Sequence, residues 1–152
     1  MATSGKTDGT AEPVLKGLDL PADDLDITTF EQILEMDDDE EERDFSKSIV
    51  YDFFTQADGT FQKMKSNLEK KDLAQLSSLG HFLKGSSATL GLSKVKDSCE
   101  KIQHLGAMKD ETGTHDETDE EAVLEKLDTV IQQAETEFKV CEKALRKFYE
   151  QS

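Results

Sequence analysis

Apolar side chains recur three and four positions apart through most of the chain, which is the spacing of one face of an α-helix. No stretch of useful length alternates with the period of two that marks a half-buried strand. The pattern predicts a short helix from Thr28 or Thr29 to Met36, then long helices from about Glu40 to Lys70, Asp72 to Leu90, Ser93 to about Met108, and about Glu120 to Tyr149. The predicted fold is therefore all-α, a four-helix bundle with an additional short N-terminal helix.

Capping residues set the predicted helix boundaries. Asp26 or Thr28 suits the N-cap of the short helix, and Ser93 suits the N-cap of the fourth. Gly91 is expected to close the third helix in a left-handed C-terminal cap. Asp58-Gly59 is a turn signal in isolation. Because the phenylalanine stripe crosses it in phase, the second helix is predicted to be continuous and its phenylalanines to lie in the core.

Three stretches lack helical periodicity. Residues 1–22 are rich in Gly, Ser, Thr, Asp and Pro and are predicted to be a disordered tail before a single domain over 23–152. Asp37 to Glu42 is an acidic run, read as a link and the N-terminal turn of the next helix, where carboxylates suit the macrodipole. Lys109 to Asp119 is predicted to be a polar loop in which His115 is solvent-exposed.

Size and charge exclude several classes of function. The 152 residues are enough for one domain, and a net charge of −16 argues against binding to nucleic acid or to anionic membranes. No run approaches the roughly 20 apolar residues of a membrane span, and the N-terminus lacks an apolar signal-peptide core, so an intracellular protein is expected. A monomer is expected because a bundle closed by four helices of one chain needs no partner to bury its core. Cys99 and Cys141 occupy apolar helical positions without CxxC spacing and are expected to be reduced core residues, with no metal bound.

The candidate chemistry lies in Leu79–Gly91, which reads LGHFLKGSSATLG. At about 100° per residue, Leu79 and Leu83 lie roughly 160° to either side of His81. The leucines are therefore expected to face the core and the imidazole to face water. The residues that share the outer face are small except for one lysine: Ser77, Ser78, Lys84, Gly85 and Ala88.

Two glycines interrupt this helix, at Gly80 and Gly85, although each costs about 1 kcal/mol relative to alanine. A bare stretch of backbone lets a bulky partner reach the imidazole, and Lys84 can balance anionic oxygens. The pattern favours attack by a neutral His81 imidazole on an electrophile that another macromolecule delivers. An ordinary surface histidine on a helical scaffold is the alternative. Gln103 lies beside the inward stripe, about 40° from Cys99 around the helix axis. Its side chain could reach the neighbouring helix near His81, or it could be an ordinary glutamine at the boundary between core and solvent.

Other catalytic classes lack support in the sequence. There is no P-loop, no dinucleotide-binding glycine string and no kinase signature, so use of ATP by this chain is not expected. Ser86 and Ser87 follow the histidine, but Ser87 faces the core and no third residue orients a hydrolase pair.

The string from His81 to Gly91 closely resembles the signature of histidine-containing phosphotransfer (HPt) domains, H-x-x-K-G-S/A-S/A-x-x-x-G. Cys99 to Gly106, reading CEKIQHLG, looks like the next helix of fungal HPt proteins of multistep His–Asp phosphorelays. The resemblance extends from about Asp26 to the C-terminus. It implies a four-helix bundle that accepts a phosphoryl group from an aspartate of one receiver domain and passes it to an aspartate of another. Such a protein is a phosphoryl carrier with no autonomous ATP-dependent activity.

The resemblance also implies roles for individual residues. His81 would be phosphorylated, Lys84 would stabilise the phosphoryl charge, Gly85 would leave room for the receiver, Ser86 would hydrogen-bond the other imidazole nitrogen, and Gln103 would lie beside the phosphoryl group. The receiver would dock on an apolar surface made of Ile33, Met36, Phe45, Ile49 and Phe82. Relatives often carry a basic residue where this chain has Ala107 and Met108, which leaves Lys109 as the nearby substitute.

The implied partners are receiver domains of a hybrid sensor histidine kinase and of response regulators, in osmotic stress signalling in the cytoplasm and nucleus. Any Mg²⁺ would be supplied by the receiver, so no cofactor is expected on this chain. The alternative function is a non-catalytic helical adaptor that binds receiver-type partners through the same apolar surface.

Overall fold

The computed structural model describes residues 18, 20, 21, 23–38 and 42–150. These residues form five helices and one isolated antiparallel bridge between Lys109 and Asp116. The helices are α1 (Ile27–Leu34), α2 (Asp44–Glu69), α3 (Leu73–Leu90), α4 (Ser93–Gly106) and α5 (Glu120–Glu150). None of the helices described is both long and apolar enough to cross a membrane.

The four longer helices pack as a closed ring. Each of α2, α3, α4 and α5 contacts its neighbour in the chain, and α2 contacts α5 to complete the circle. The most extensive pair is α3 with α4, and the short α1 packs on α3. The predicted four-helix bundle with an additional N-terminal helix is thus confirmed.

Aromatic side chains fill the interior between α1, α2 and α5. The rings of Phe53 and Phe61 on α2 each lie 5.8 Å, centroid to centroid, from Phe138 on α5. Phe30 on α1 meets Phe148 on α5 edge-on at 6.1 Å, which ties the short helix to the bundle. The phenylalanines of α2 therefore lie in the core, except for Phe45, which is exposed. The helix continues through Asp58-Gly59 without a break, as predicted.

Several helix ends agree with the capping residues. The Asp26 carboxylate accepts a hydrogen bond from the Thr29 backbone N–H at 3.3 Å and so caps α1. Asp72 caps α3 in the same way. Gly91 ends α3 with φ of +83°, and a Cβ there would lie 2.7 Å from the Asp26 carbonyl oxygen. A glycine is therefore favoured here for two reasons, because it adopts the left-handed cap conformation without strain and because it leaves room for the residue that precedes α1.

Other boundaries were wrong by a few residues. The helix α1 ends at Leu34 rather than Met36, and α4 ends at Gly106 rather than Met108. Ser93 is the first residue of α4, and Leu92 takes the N-cap position. The reason is packing, since Leu92 is completely buried and anchors the turn between α3 and α4 without a side-chain capping bond.

The start of α2 differs most from the prediction. Arg43 adopts a left-handed conformation (φ 48°), so the helix begins at Asp44 and not near Glu40. Glu42 lies before the helix, and the central part of the acidic run, 39–41, is outside the described residues. The expected acidic first turn is reduced to Asp44.

A buried hydrogen-bonded group, here called the Ser46 cluster (Asp37, Ser46 and Tyr149), holds the start of α2. The Ser46 N–H and hydroxyl both donate to the Asp37 carboxylate at 2.7 Å, and the Tyr149 hydroxyl donates to Ser46 Oγ at 2.9 Å. Burial raises the pKa of Tyr149 to about 12, which keeps the phenol protonated as a donor. Asp37 therefore caps α2 from outside the helix, and the cluster joins three parts of the chain.

Two leucines of the predicted tail pack against the bundle. Leu18 and Leu20 fall inside the predicted tail, yet both are partly buried against the core. Residues 1–17, 19 and 22 of the predicted tail lie outside the described part of the chain.

The loop between α4 and α5 is tightly bonded. Asp110 accepts hydrogen bonds from the Thr112 hydroxyl, the Thr114 N–H and the His115 ring, and these hold the pKa of its carboxyl well below the usual range. His115 is exposed, as predicted, although its Nδ1 lies 3.1 Å from Asp110 Oδ2.

Candidate functional site

The histidine stands on the outer face of α3. Leu76 and Leu83 are completely inaccessible to solvent and Leu90 nearly so, while His81 is exposed. Its imidazole makes no hydrogen bond within the described ranges. The periodicity therefore predicted the direction of this side chain correctly, and both ring nitrogens are available to a partner.

The two glycines of α3 serve different purposes. A Cβ added at Gly85 would meet nothing within 4 Å, so this position is an open notch one turn from the imidazole. A Cβ at Gly80 would lie 2.8 Å from the Gln103 backbone nitrogen and 2.9 Å from the Cys99 carbonyl oxygen. The interpretation of both glycines as bare surface was thus wrong for Gly80, which is buried and allows α4 to approach α3.

Gly106 makes the same kind of contact from the opposite helix, because a Cβ there would lie 2.5 Å from the Ser77 backbone nitrogen. Ser77 donates its hydroxyl to the Gln103 carbonyl oxygen at 2.8 Å, so it faces α4. The prediction that Ser77 lies on the solvent-facing side of α3 was therefore wrong. Two glycines and one hydrogen bond therefore fix Gln103 of α4 against the part of α3 that carries His81.

The side chain of Gln103 is only partly exposed, and its Oε1 is buried without a hydrogen-bond partner among the described residues. A buried amide oxygen without a partner costs free energy, and such groups mark places where a further group can bind.

The lysine beside the histidine is already paired. Lys84 Nζ lies 3.5 Å from Glu100 Oε2 on α4. Glu100 was not singled out from the sequence, although its position three residues before Gln103 puts both on one face of α4. Lys109, the predicted substitute for a missing basic residue, bonds to Asp116 within its own loop. The lysine one turn from His81 is therefore paired with a carboxylate of α4.

The Ser86 hydroxyl donates to the Phe82 carbonyl oxygen, one turn earlier on α3, at 3.3 Å. The bond to the imidazole that the resemblance implied is not present, since a serine within a helix readily bonds the backbone four residues before it.

Several apolar side chains that the sequence placed on a partner surface are partly or largely exposed. Met36, Phe45 and Phe82 are 58%, 50% and 49% exposed, and Ile49 is half-buried. We call these four residues the docking patch. Ile33, the fifth predicted member, is only 5% exposed because α1 turns it inward with Phe30, so its assignment to the surface was wrong.

The Ser46 cluster brings the first two members of this patch together. Met36 precedes Asp37 and Phe45 precedes Ser46, and the Asp37 carboxylate bonds Ser46. The exposed ends of α1 and α2 are thereby held side by side.

The other two members continue the patch toward α3. Ile49 follows Phe45 by one helical turn and lines one groove together with Ser86. Ser86 bonds the carbonyl of Phe82, whose side chain adjoins His81 in sequence. The patch thus extends from the end of α1, over α2, to the residue after the histidine.

The two cysteines are buried. Burial raises the pKa of both Cys99 and Cys141 to about 12, and the nearby Glu137 carboxylate also raises the pKa of Cys99. Both are free thiols. Among the described residues there is no group of three or more His, Cys, Asp or Glu side chains able to hold a metal ion.

A family model for the Hpt domain matches residues 48–137, which include α3, α4 and most of α2. The chain belongs to the Hpt family. The match contains His81, Gly85 and Gln103, so the Hpt segment is the one that carries the exposed histidine.

Curated relatives of the Hpt chain have phosphorelay names. Multistep phosphorelay regulator 1 of Schizosaccharomyces pombe is 44% identical over 128 residues, which cover 84% of this chain and 43% of that protein. Phosphorelay intermediate protein YPD1 of Saccharomyces cerevisiae is 46% identical over 88 residues, covering 57% of this chain and 52% of that protein. The matches thus span about half the length of these relatives.

Solved structures share the Hpt architecture over nearly their whole length. Yeast Ypd1p superimposes with a TM-score of 0.72 and 31% identity, covering 86% of this chain and 96% of that one. Saccharomyces cerevisiae Ypd1 crystallised with the receiver domain of its downstream response regulator Ssk1 gives a TM-score of 0.73 and 33% identity, with coverage of 87% and 98%.

Proposed function

We propose that this protein is a histidine phosphotransfer intermediate that carries a phosphoryl group on His81 between the aspartates of two receiver domains. The observation that supports this most is the exposed imidazole on α3, with the open notch at Gly85 one turn away. The names of its relatives support the same function, since they describe phosphorelay intermediates.

In the first transfer, the lone pair of one His81 nitrogen attacks the phosphorus of the receiver's aspartyl phosphate. The N–P bond forms as the P–O bond to the aspartate breaks, and the carboxylate leaves. The proton on the other ring nitrogen stays in place, so no further reactant is needed. In the second transfer, a carboxylate of another receiver attacks the same phosphorus, and His81 recovers its lone pair.

This chain contributes mainly position and shape. Phosphoryl transfer passes through a loose transition state in which alignment and charge stabilisation account for most of the catalysis. The docking patch gives the receiver an apolar contact area, and Gly85 lets it approach the imidazole. We propose that Mg²⁺ comes with the receiver, where it offsets the charge on the phosphoryl oxygens.

The polar neighbours are assigned supporting roles. Lys84 lies within one turn of His81 and is proposed to stabilise the phosphoryl oxygens. Gln103 is proposed to lie beside the phosphoryl group, where its amide gains the partner that its Oε1 lacks. Ser86 is proposed to turn from the Phe82 carbonyl to the second imidazole nitrogen when His81 is phosphorylated.

The partners are proposed to be receiver domains, one belonging to a hybrid sensor kinase and one to a response regulator, with the protein acting as a monomer in the cytoplasm and nucleus. A monomer is supported by the closed ring of α2 to α5, which buries the core within one chain.

A two-stage transfer experiment tests this function. The protein is incubated with a receiver that carries ³²P on its aspartate, then purified and mixed with an unlabelled second receiver. We expect the label to move onto this chain, to be lost in acid, and then to appear on the second receiver. The variant His81→Gln should accept no label and keep its fold.

The adaptor alternative makes the opposite prediction in the same experiment. An adaptor would bind receivers through the docking patch but take no label, and replacing His81 would change nothing. Label that survives acid, or that persists in His81→Gln, would contradict transfer through this histidine.

A further inference from the structure

The Lys84–Glu100 ion pair connects the two helices of the histidine site. The two charged atoms are 3.5 Å apart, and the side chains are 28% and 48% exposed. Within the described part of the chain, Glu100 forms no other ion pair. Lys84 is therefore not an unpaired cation near His81, because its ammonium group forms a salt bridge with the Glu100 carboxylate.

Backbone contacts between α3 and α4 fix the part of α4 that carries Glu100. Gly80 and Gly106 let α3 and α4 touch through their backbones, and the Ser77 hydroxyl bonds the Gln103 carbonyl. Glu100 lies one turn before Gln103 on the same face of α4. Contact between the two helices therefore places Glu100 where its carboxylate meets Lys84.

A carboxylate at this place acts on a phosphoryl group in two ways. It competes with the phosphoryl oxygens for Lys84, and it repels their negative charge. Both effects disfavour the phosphorylated form of His81 relative to the free imidazole. Neither effect is large, because the pair is partly exposed and salt screens it.

We propose that Glu100 is a positioning residue that holds Lys84 before transfer and limits the accumulation of phosphohistidine, so that the phosphoryl group leaves His81 more readily for the aspartate of either receiver. This inference rests on the proposed phosphotransfer function. The balance concerned is between aspartyl phosphate plus free His81 and free aspartate plus phosphorylated His81. Glu100 shifts this balance toward the aspartyl phosphate without itself forming a bond to phosphorus.

The test is the equilibrium of label between one purified receiver and the full chain, together with the half-life of the isolated phosphorylated chain. Removing the charge in Glu100→Gln should shift the equilibrium toward phosphohistidine by about two- to fivefold, the range that a partly exposed ion pair supports. The shift should shrink as salt is raised. The variant should keep its melting temperature, which separates this role from a structural one.

Lys84→Ala and a charge-matched control complete the design. The part of the shift that comes from competition for Lys84 should disappear when Glu100→Gln is combined with Lys84→Ala, and only the direct repulsion should be left. The control is Glu135→Gln, which removes the same charge from the Glu135–Lys65 pair between α5 and α2. It should leave the equilibrium unchanged.

Each outcome decides between the possibilities. If the wild-type chain takes label but Glu100→Gln behaves like Glu135→Gln, the role of Glu100 is refuted and the phosphotransfer function stands. A full shift that persists without Lys84 refutes the positioning role. If the wild-type chain takes no label from any receiver, the proposed function fails and this inference fails with it.

Discussion

Gly85 has free space around its Cα, whereas Gly80 is in contact with the α4 backbone. Substitutions at Gly85 are therefore expected to raise the stability of the protein and to lower its binding to receivers. Gly85 is exposed within α3, and a Cβ there meets nothing within 4 Å. Replacing a helical glycine by alanine gains about 1 kcal/mol when nothing is disturbed. For a chain of this size that corresponds to a rise in melting temperature of about 2–4 °C. We expect Gly85→Ala to show this rise.

Filling the notch further should prevent docking without harming the fold. Gly85→Gln keeps most of the helix-propensity gain, but it places a long side chain one turn from His81. We expect receiver affinity to fall about tenfold or more, equivalent to a loss of about 1.4 kcal/mol, and phosphoryl acceptance to fall with it. Thermal or urea unfolding gives the stability, and calorimetric titration with a receiver gives the affinity.

Two other glycines provide matched controls. Gly59 on α2 is also exposed with nothing within 4 Å, so Gly59→Gln should gain stability and keep full receiver affinity. Gly80→Ala would push a Cβ against the α4 backbone at 2.8 Å. Overpacking of this kind costs about 1–3 kcal/mol, and the propensity gain offsets only part of it. A stable Gly85→Gln that binds receivers like wild type, or a stabilised Gly80→Ala, would refute the reasoning.

Three further predictions concern single side chains. Tyr149→Phe removes the hydroxyl bond to buried Ser46 and should cost about 0.5–1.5 kcal/mol of the free energy of unfolding; an unchanged urea midpoint would contradict this. Burial keeps Cys99 and Cys141 as neutral thiols at pH 8, since their pKa values are near 12, so iodoacetamide should label them only after unfolding; rapid native labelling would argue against burial. His81→Gln, an exposed change, should leave the free energy of unfolding within about 0.5 kcal/mol of wild type while acceptance is lost.

The bundle was predictable because its helices carry strong local signals. The stripe on α2, the caps at Asp26 and Asp72 and the glycine at Gly91 each act within a few residues of the chain. The outward direction of His81 follows from the same periodicity. These features depend on sequence neighbours, so the sequence alone was sufficient to locate them.

The errors concern contacts between distant parts of the chain. Gly80 and Gly85 are alike in sequence, yet one touches α4 and the other touches nothing. The N-terminal cap of α2 comes from Asp37, nine residues before Ser46. No local pattern distinguishes such cases, because the partner that decides them is brought near only by the fold.

The charge at the site illustrates the same limit. Lys84 was recognised from its spacing to His81, whereas its pairing with Glu100 depends on how α3 and α4 cross. The position of Glu100 one turn before Gln103 is a signal that the sequence does contain. Its significance became apparent once the glycine contacts fixed the two helices against each other.

The most direct test of the account is to locate the phosphoryl group after the chain has been incubated with a phosphorylated receiver. Peptides prepared and analysed by mass spectrometry at neutral to alkaline pH preserve phosphohistidine. The account predicts a single phosphorylated peptide that spans Leu79–Gly91, with the modification on His81. Phosphate on a serine of that peptide or on His104 or His115, or none at all from a receiver that demonstrably binds, would contradict it.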